Sequence, residues 1–414
     1  QKATNAAISL TSTVNVSLTR VHLTNNTHYG ILGSSVSGFT LTDSLIDGTN
    51  GSVTGSAFDG SINFQNLTGS ASITRAVITG GFYNNITVKN DSATPLNRIT
   101  LDKTQTGSTN VNNNDNINFE SLSGSSAVIK ATIQNSVLTA AAGDLLQYAN
   151  NGNANGGDIV LTNSQLSNNH PLIATGGGGV SISGGAGGDD TFQIDHSTFR
   201  DSVGSAVLIV KPSSTTHTYV GTFDSNRIGV TGVANSGSLE GSGLKIQTIG
   251  GGVSGTGGLT ATVTNNVIQQ YNNDGMTLQA GGGAPGDGTG FFNATAINNT
   301  VGPLGTNIAA AQGVGVRVTS GTASGDSFQS CAKIALNTLT NSGITGTPSD
   351  YRVRQRFGTT VRLPGYGGAL GDTTAVVNFI DSNNTITAPP PGGTATAAYP
   401  ATGGGFTGTG TTCP

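Results

Sequence analysis

The sequence is short of almost everything that builds helices, membrane spans or redox centres. Charged residues make up 9% and aromatics 5%, with no Trp and a single Met. Without stretches of Ala, Leu, Glu and Lys, a helical fold is excluded. No apolar run approaches the roughly eighteen residues that a membrane helix needs, so no membrane insertion is expected. Residues 1–20 also lack the basic-then-apolar layout of a signal peptide. A net charge of -4, with no Lys/Arg run before residue 350, leaves no surface that would neutralise phosphates, and nucleic acid is excluded as a partner. Disorder is excluded too, because it goes with high net charge and few β-branched residues, the reverse of this composition.

Cysteine is nearly absent. Cys331 and Cys413 stand 82 positions apart, which rules out a CxxC redox or zinc motif and leaves either two buried thiols or one disulfide. The disulfide is the expectation. Closing a loop of that length stabilises by roughly 4 kcal/mol in the chain-entropy description, and it would pin a Gly/Thr/Pro-rich tail. It also implies an oxidising compartment, and hence an extracellular or cell-surface location.

What the sequence does contain is 64 Gly, abundant Ser, Thr and Asn, and a repeat. Apolar residues recur in pairs five apart: Leu18/Leu23, Leu41/Ile46, Ile73/Ile78, Ile133/Leu138, Leu161/Leu166, Ile194/Phe199, Phe223/Ile228, Val263/Ile268, Ala296/Val301 and Ile334/Leu339. Leu101/Thr106 reads as a degenerate eleventh pair in the long gap after Ile73. Successive first members are 23 (Leu18 to Leu41) to 40 (Phe223 to Val263) residues apart, so a short minimal unit carries insertions. Between the members lie small polar residues, notably Asn135, Asn163, Asn226, Asn265, Asn266, Asn298, Asn299 and Asn337. Asn tolerates left-handed backbone and bonds locally, so each pair reads as a tight corner between two short strands, both apolar members pointing inward.

A second element follows, Gly and then alternating apolar residues, as in Gly243-Leu244-Lys245-Ile246, Gly275-Met276-Thr277-Leu278 and Gly315-Val316-Arg317-Val318. Period two means strand. A coil of two or three short strands cannot bury its apolar face alone and must stack on its neighbours. The pattern resembles the right-handed parallel β-helix repeats of the pectate-lyase-like superfamily and of bacterial secreted and surface proteins, autotransporter passengers among them. That likeness covers residues 14–345 and implies an all-β, right-handed parallel β-helix (solenoid) with a C-terminal capping segment. The expected organisation is a β-helix over 1–345, a cap or last rungs over 346–387, and an extended tail over 388–414. In the middle segment, Arg352, Arg354, Arg356 and Arg362 alternate with apolar residues, which reads as an amphipathic hairpin or a final broad rung. The pattern is already in register at Leu18, as in a mature product or an excised piece.

The likeness directs attention to clustered acids. Asp189, Asp190, Asp195 and Asp224 are the catalytic candidates, because Asp195 and Asp224 hold equivalent repeat positions and glycoside cleavage needs two nearby carboxylates. The Gly-His-Gly and Arg-Ile-Lys signatures of polygalacturonase-like hydrolases are missing, so these acids are expected to cap turns. The stretch GGAGGDDTF (184–192) is near a calcium nonapeptide, with Asp189 as its ligand, but it occurs once where such sites need consecutive copies. Calcium is the one cofactor it suggests. His22, His28, His170, His196 and His217 lack any HxH or HExxH spacing. The function expected is a secreted or cell-surface structural or adhesive module, presenting polar corners and loops to a glycan, a surface or another copy of itself. The alternative is a polysaccharide lyase or glycoside hydrolase with an acidic cleft.

Overall fold

A computed structural model describes residues 6–52, 59–91, 93–108, 114–152, 156–168, 177–184, 188–212, 216–249, 257–282, 288–307, 313–343, 350–387, 395–399 and 403–414. The chain is all-β, and it divides into two units, Gln1–Thr198 and Phe199–Pro414. In each, the chain runs repeatedly through three short strands, on what we call faces one, two and three, and every pairing between successive coils is parallel. Each unit is a right-handed parallel β-helix.

In the first unit face one includes Asn84–Asn90, Ile117–Ser121 and Leu146–Asn150, face two includes Leu96–Asp102, Lys130–Gln134 and Gly157–Thr162, and face three includes Gln105–Gly107, Val137–Thr139 and Gln165–Ser167. The apolar pairs are the reason these coils stack. Their first members form one register column, Leu18, Leu41, Ile73, Leu101, Ile133, Leu161 and Ile194. The second members form another, Leu23, Ile46, Ile78, Thr106, Leu138 and Leu166. From Leu41 and Ile46 onward both columns are buried, each Leu or Ile contributing about 1.5–3 kcal/mol relative to exposure. Thr106 sits at the degenerate place as expected, buried among them, and its hydroxyl finds no partner among the described residues.

The second unit repeats the course. Face one comprises Val207–Lys211, Leu244–Thr248, Met276–Ala280, Val316–Ser320, Tyr351–Gln355 and Ala395–Ala398. Face two comprises Thr218–Asp224, Gly258–Thr264, Phe291–Ile297, Gln329–Ala335, Thr360–Arg362 and Gly405–Thr407. Face three has Arg227–Ile228, Val267–Ile268, Thr300–Val301, Thr338–Thr340 and Thr385–Thr387. The glycines that precede Leu244–Thr248, Met276–Ala280 and Val316–Ser320 are there for closeness: a Cβ on Gly275 would lie 2.6 Å from the Gly315 carbonyl oxygen and 2.4 Å from Val301.

The corners separate two roles that the sequence reading merged. One position takes left-handed backbone, at Asn135, Asn163, Asn265 and Asn298 with φ of 51°, 48°, 59° and 59°, and elsewhere at Asp43, Arg75, Lys103 and His196. The next position is buried and bonds coil to coil. In the first unit it is a hydroxyl ladder: the Ser136 N–H donates to Ser164 Oγ (3.2 Å) and the Ser164 N–H to Ser197 Oγ (3.1 Å). In the second unit it is an asparagine ladder. Asn226, Asn266, Asn299 and Asn337 each donate their backbone N–H to the side-chain oxygen of the residue above, at 2.8, 3.0, 2.9 and 3.1 Å, ending on Asn384. The side-chain amides of Asn266, Asn299 and Asn337 donate to the same oxygens at 2.9, 2.9 and 3.0 Å.

At the carboxy-terminal end, Tyr351–Gln355 pairs in parallel with Val316–Ser320 and with Ala395–Ala398, so this arginine-bearing stretch is a rung rather than a hairpin. Among the described residues there is one helix, Thr373–Asn383; Asp372 caps its start by accepting from the Ala375 N–H (2.9 Å), and Val376 and Ile380 are buried. Its C-cap residue is Asn384, which is also the last rung of the asparagine ladder. Residues of the tail form the strands Ala395–Ala398 and Gly405–Thr407, and Cys331 and Cys413 are joined as a disulfide.

Candidate functional site

The four acids singled out by sequence are all tied into the scaffold. Asp190 is buried and accepts from Asn150 Nδ2 (2.6 Å), while Asp189 is exposed and its carbonyl accepts from the Gly156 N–H (2.9 Å). Asp195 accepts from the Thr162 hydroxyl, from Gln193 Nε2 (2.6 Å) and contacts His196 Nδ1 (3.1 Å). Burial pushes its carboxyl up, but those hydrogen bonds together with His196 outweigh burial and hold it below the usual carboxylate range. Asp224, in the second unit, accepts from the Thr264 hydroxyl, Asn265 Nδ2 (2.8 Å) and Ser225 Oγ (2.9 Å). For Asp195 the lowered value is the opposite of what a general acid needs, a carboxyl raised toward neutrality.

Of the calcium-like stretch, residues 185–187 lie outside the described residues, as does His170. Among the described residues no group of three or more His, Cys, Asp or Glu side chains converges as a metal would require. His22 contacts Asp47 and His28 contacts Asp59, both at 3.0 Å.

The chemistry that does converge lies on face one of the second unit and is basic. Alternation along each strand turns every second side chain outward, and parallel register aligns them into two columns: Lys245, Thr277, Arg317 and Arg352, and beside them Gln247, Gln279, Thr319 and Arg354. They border a cleft of about 330 Å³ lined by Lys245, Arg317, Arg354 and Arg356, by the carboxylate Asp274, and by neutral groups that include Thr277, Gln279, Thr319 and Thr322. Arg317 grips Asp274 with two bonds, Nε to Oδ2 at 2.6 Å and Nη2 to Oδ1 at 2.9 Å, and Thr277 Oγ1 adds a third at 2.8 Å. One carboxylate therefore faces four cations, an excess of three positive charges.

That excess is visible in the energetics. Burial, and then repulsion from Arg352, Arg356 and Arg317, lower the Arg354 guanidinium to about 10. Burial and the neighbouring Arg317 also lower Arg352, and burial lowers Lys245 despite Asp274. Arg354 Nε is buried and has no acceptor among the described residues. At neutral pH these groups remain charged and repel one another, and an anion set among them would relieve both the repulsion and the missing hydrogen bond.

The sequence carried a usable signal for this cleft. Lys245, Thr277 and Arg317 occupy the same place after the recurring glycine, and Tyr351-Arg352-Val353-Arg354 continues the pattern with Asp350 in the glycine's position. What hid it was the unequal length of the coils, which separates residues that register makes adjacent. Comparison of the chain with models of protein families, with curated proteins and with solved structures finds no match.

Proposed function

We propose that the protein is an extracellular or cell-surface β-helix module that holds an acidic glycan in the basic cleft of its second unit. The observation that carries this reading is the set Lys245, Arg317, Arg354 and Arg356 around a single, already paired carboxylate. The neutral part of the lining is hydroxyl and amide, suited to a hydroxylated chain, and among the described residues no aromatic ring lines the cleft on which a nucleobase would stack. The Cys331–Cys413 disulfide supports an oxidising location. The coil architecture supports the likeness to the pectate-lyase-like and autotransporter-passenger proteins. Binding is favoured over hydrolysis because the cleft offers one carboxylate where glycoside hydrolysis uses two, and because the other candidate acids serve as ties between neighbouring residues.

The test is binding of polygalacturonate, dextran sulfate and uncharged dextran to the whole chain at low and moderate salt, with the length of each polymer followed in the same tubes. The anionic polymers should bind, at least tenfold more weakly once Arg354→Ala and Lys245→Ala are combined, and stay intact. Equal binding of uncharged dextran, or an unaffected double variant, overturns the reading. Shortening of a polymer selects the lyase or hydrolase alternative.

A further inference from the structure

A second concavity, of about 610 Å³, lies on face two of the same unit. Its floor is made of two outward columns fixed by register. One runs Gly258, Phe291, Gln329 and Thr360, and the other runs Thr260, Asn293, Cys331 and Arg362. The size is within the roughly 300–1,000 Å³ of sites that enclose small ligands. The Phe291 ring leans over Gly258: a Cβ there would lie 2.6 Å from Phe291 Cγ, so glycine is what lets the ring lie down across the neighbouring strand. Phe291 is half-buried, an aromatic surface left partly open on an outward face.

One wall is not a strand at all. The chain after Gly405–Thr407 turns back across face two, where Cys413 is bonded to Cys331 in the floor and Arg362 Nη2 donates to the Thr412 carbonyl (3.0 Å). Thr407 and Pro414 thereby line the cavity. Arg362 is committed to this task, since its Nε also rests on Cys331 Sγ (3.3 Å). Apart from Arg362, whose guanidinium keeps its charge while bonded to the tail, the polar side chains of the lining are uncharged, Thr260, Asn293, Gln329 and Thr360 among them.

We propose that this cavity is a subsite for a neutral pyranose, with Phe291 under the C–H face of the ring, Asn293 and Gln329 exchanging hydrogen bonds with its hydroxyls, and the disulfide-held tail closing one side. An aromatic face ringed by amides and hydroxyls, with its one cationic side chain bonded to the tail, matches a sugar, which is apolar on one face and rich in donors and acceptors at its rim. The inference stands apart from the basic cleft, whose residues belong to face one, and either can fail alone.

The experiment is NMR titration of the whole oxidised chain with cellobiose, maltose, lactose and chitobiose, with the Phe291→Ala and Gln329→Ala variants and the Cys331→Ser/Cys413→Ser pair alongside. At least one disaccharide should bind with millimolar or better affinity and shift the amides of Phe291, Asn293 and Gln329. The affinity should fall at least tenfold in Phe291→Ala and severalfold in both Gln329→Ala and the cysteine pair. Gln329 is exposed, so its variant keeps the test available if Phe291→Ala does not fold. The proposal is overturned if none of the four sugars binds, or if binding survives loss of the Phe291 ring or of the Gln329 amide. Unchanged affinity in the cysteine pair overturns the role of the tail. Loss of polygalacturonate binding in Arg354→Ala with the disaccharide retained separates the two sites.

Discussion

Asn299→Ala is the substitution that most sharply tests how the coils are joined. Asn299 is 1% exposed, and its side chain makes five bonds. Its oxygen accepts from the Asn266 N–H (3.0 Å) and Nδ2 (2.9 Å), and its amide donates to Asn337 Oδ1 (2.9 Å), the Val263 carbonyl (3.0 Å) and the Ile297 carbonyl (3.2 Å). Some partners have a second bond to fall back on: Asn266 Nδ2 still reaches the Phe223 carbonyl (2.9 Å), and Asn337 Oδ1 still accepts from the Asn299 N–H (2.9 Å). The buried Asn266 N–H is orphaned, at about 1–3 kcal/mol, and the remaining lost bonds add about 0.5–1.5 kcal/mol each where nothing replaces them. The expected destabilisation is about 3–5 kcal/mol. The adjacent Asn298 has the same side chain but is exposed and left-handed, so Asn298→Ala should cost only the backbone preference, about 1 kcal/mol. Urea unfolding followed by circular dichroism gives both numbers, and hydrogen exchange at the Asn266 amide reads the local effect. If Asn299→Ala costs under about 1 kcal/mol, or as little as Asn298→Ala, the buried ladder does not hold the coils and the reasoning fails.

Further predictions concern the core, pH and the cleft. Thr106→Val fills the same space while removing a buried hydroxyl that has no partner among the described residues, and should raise the urea midpoint by the equivalent of about 1 kcal/mol; a loss of stability would refute it. Asp115, buried beside Asp144, is raised to about 7, chiefly by burial, with the Asp144 charge adding and the Asp144 N–H and Lys89 opposing. Because its folded value exceeds the unfolded one, the stability it contributes is complete below about pH 4 and is lost as pH rises through about 7, by at most about 4 kcal/mol. Unfolding of the first unit should therefore be easier at pH 8 than at pH 5, and Asp115→Asn should flatten that dependence; an unchanged slope would contradict it. Binding of dextran sulfate should weaken steeply with salt, with a shallower dependence after Arg317→Ala; an equal dependence would remove Arg317 from the site.

The architecture was legible because it rests on a short-range signal. Pairs such as Val263/Ile268 turn one corner, and their spacing survives whatever is inserted elsewhere in the coil. Even Thr106 was recognisable by position alone. The two corner roles were not separable, since asparagine serves one at Asn265 and the other at Asn266, and only burial tells them apart. In the first unit the ladder position is filled by Ser136 and Ser164, which an eye trained on asparagine passes over. Asp195 and Asp224 drew attention because they share a repeat position, yet a corner carboxylate is also the natural acceptor for the hydroxyl or amide one coil away, as Asp224 is for Asn265. The basic cleft depends on Lys245, Arg317 and Arg354 being set side by side by coils of different length; the recurring glycine marks that register at Lys245 and Arg317, but Asp350 takes its place before Arg352 and Arg354.

Where an acidic sugar sits decides whether the basic cleft of the second unit is a binding site. A crystal structure of the chain soaked with a short galacturonate oligomer should show a carboxylate between Lys245, Arg317 and Arg354, with Arg354 Nε donating to it. A bound oligomer on any other face, with this cleft empty at saturating ligand, would contradict it.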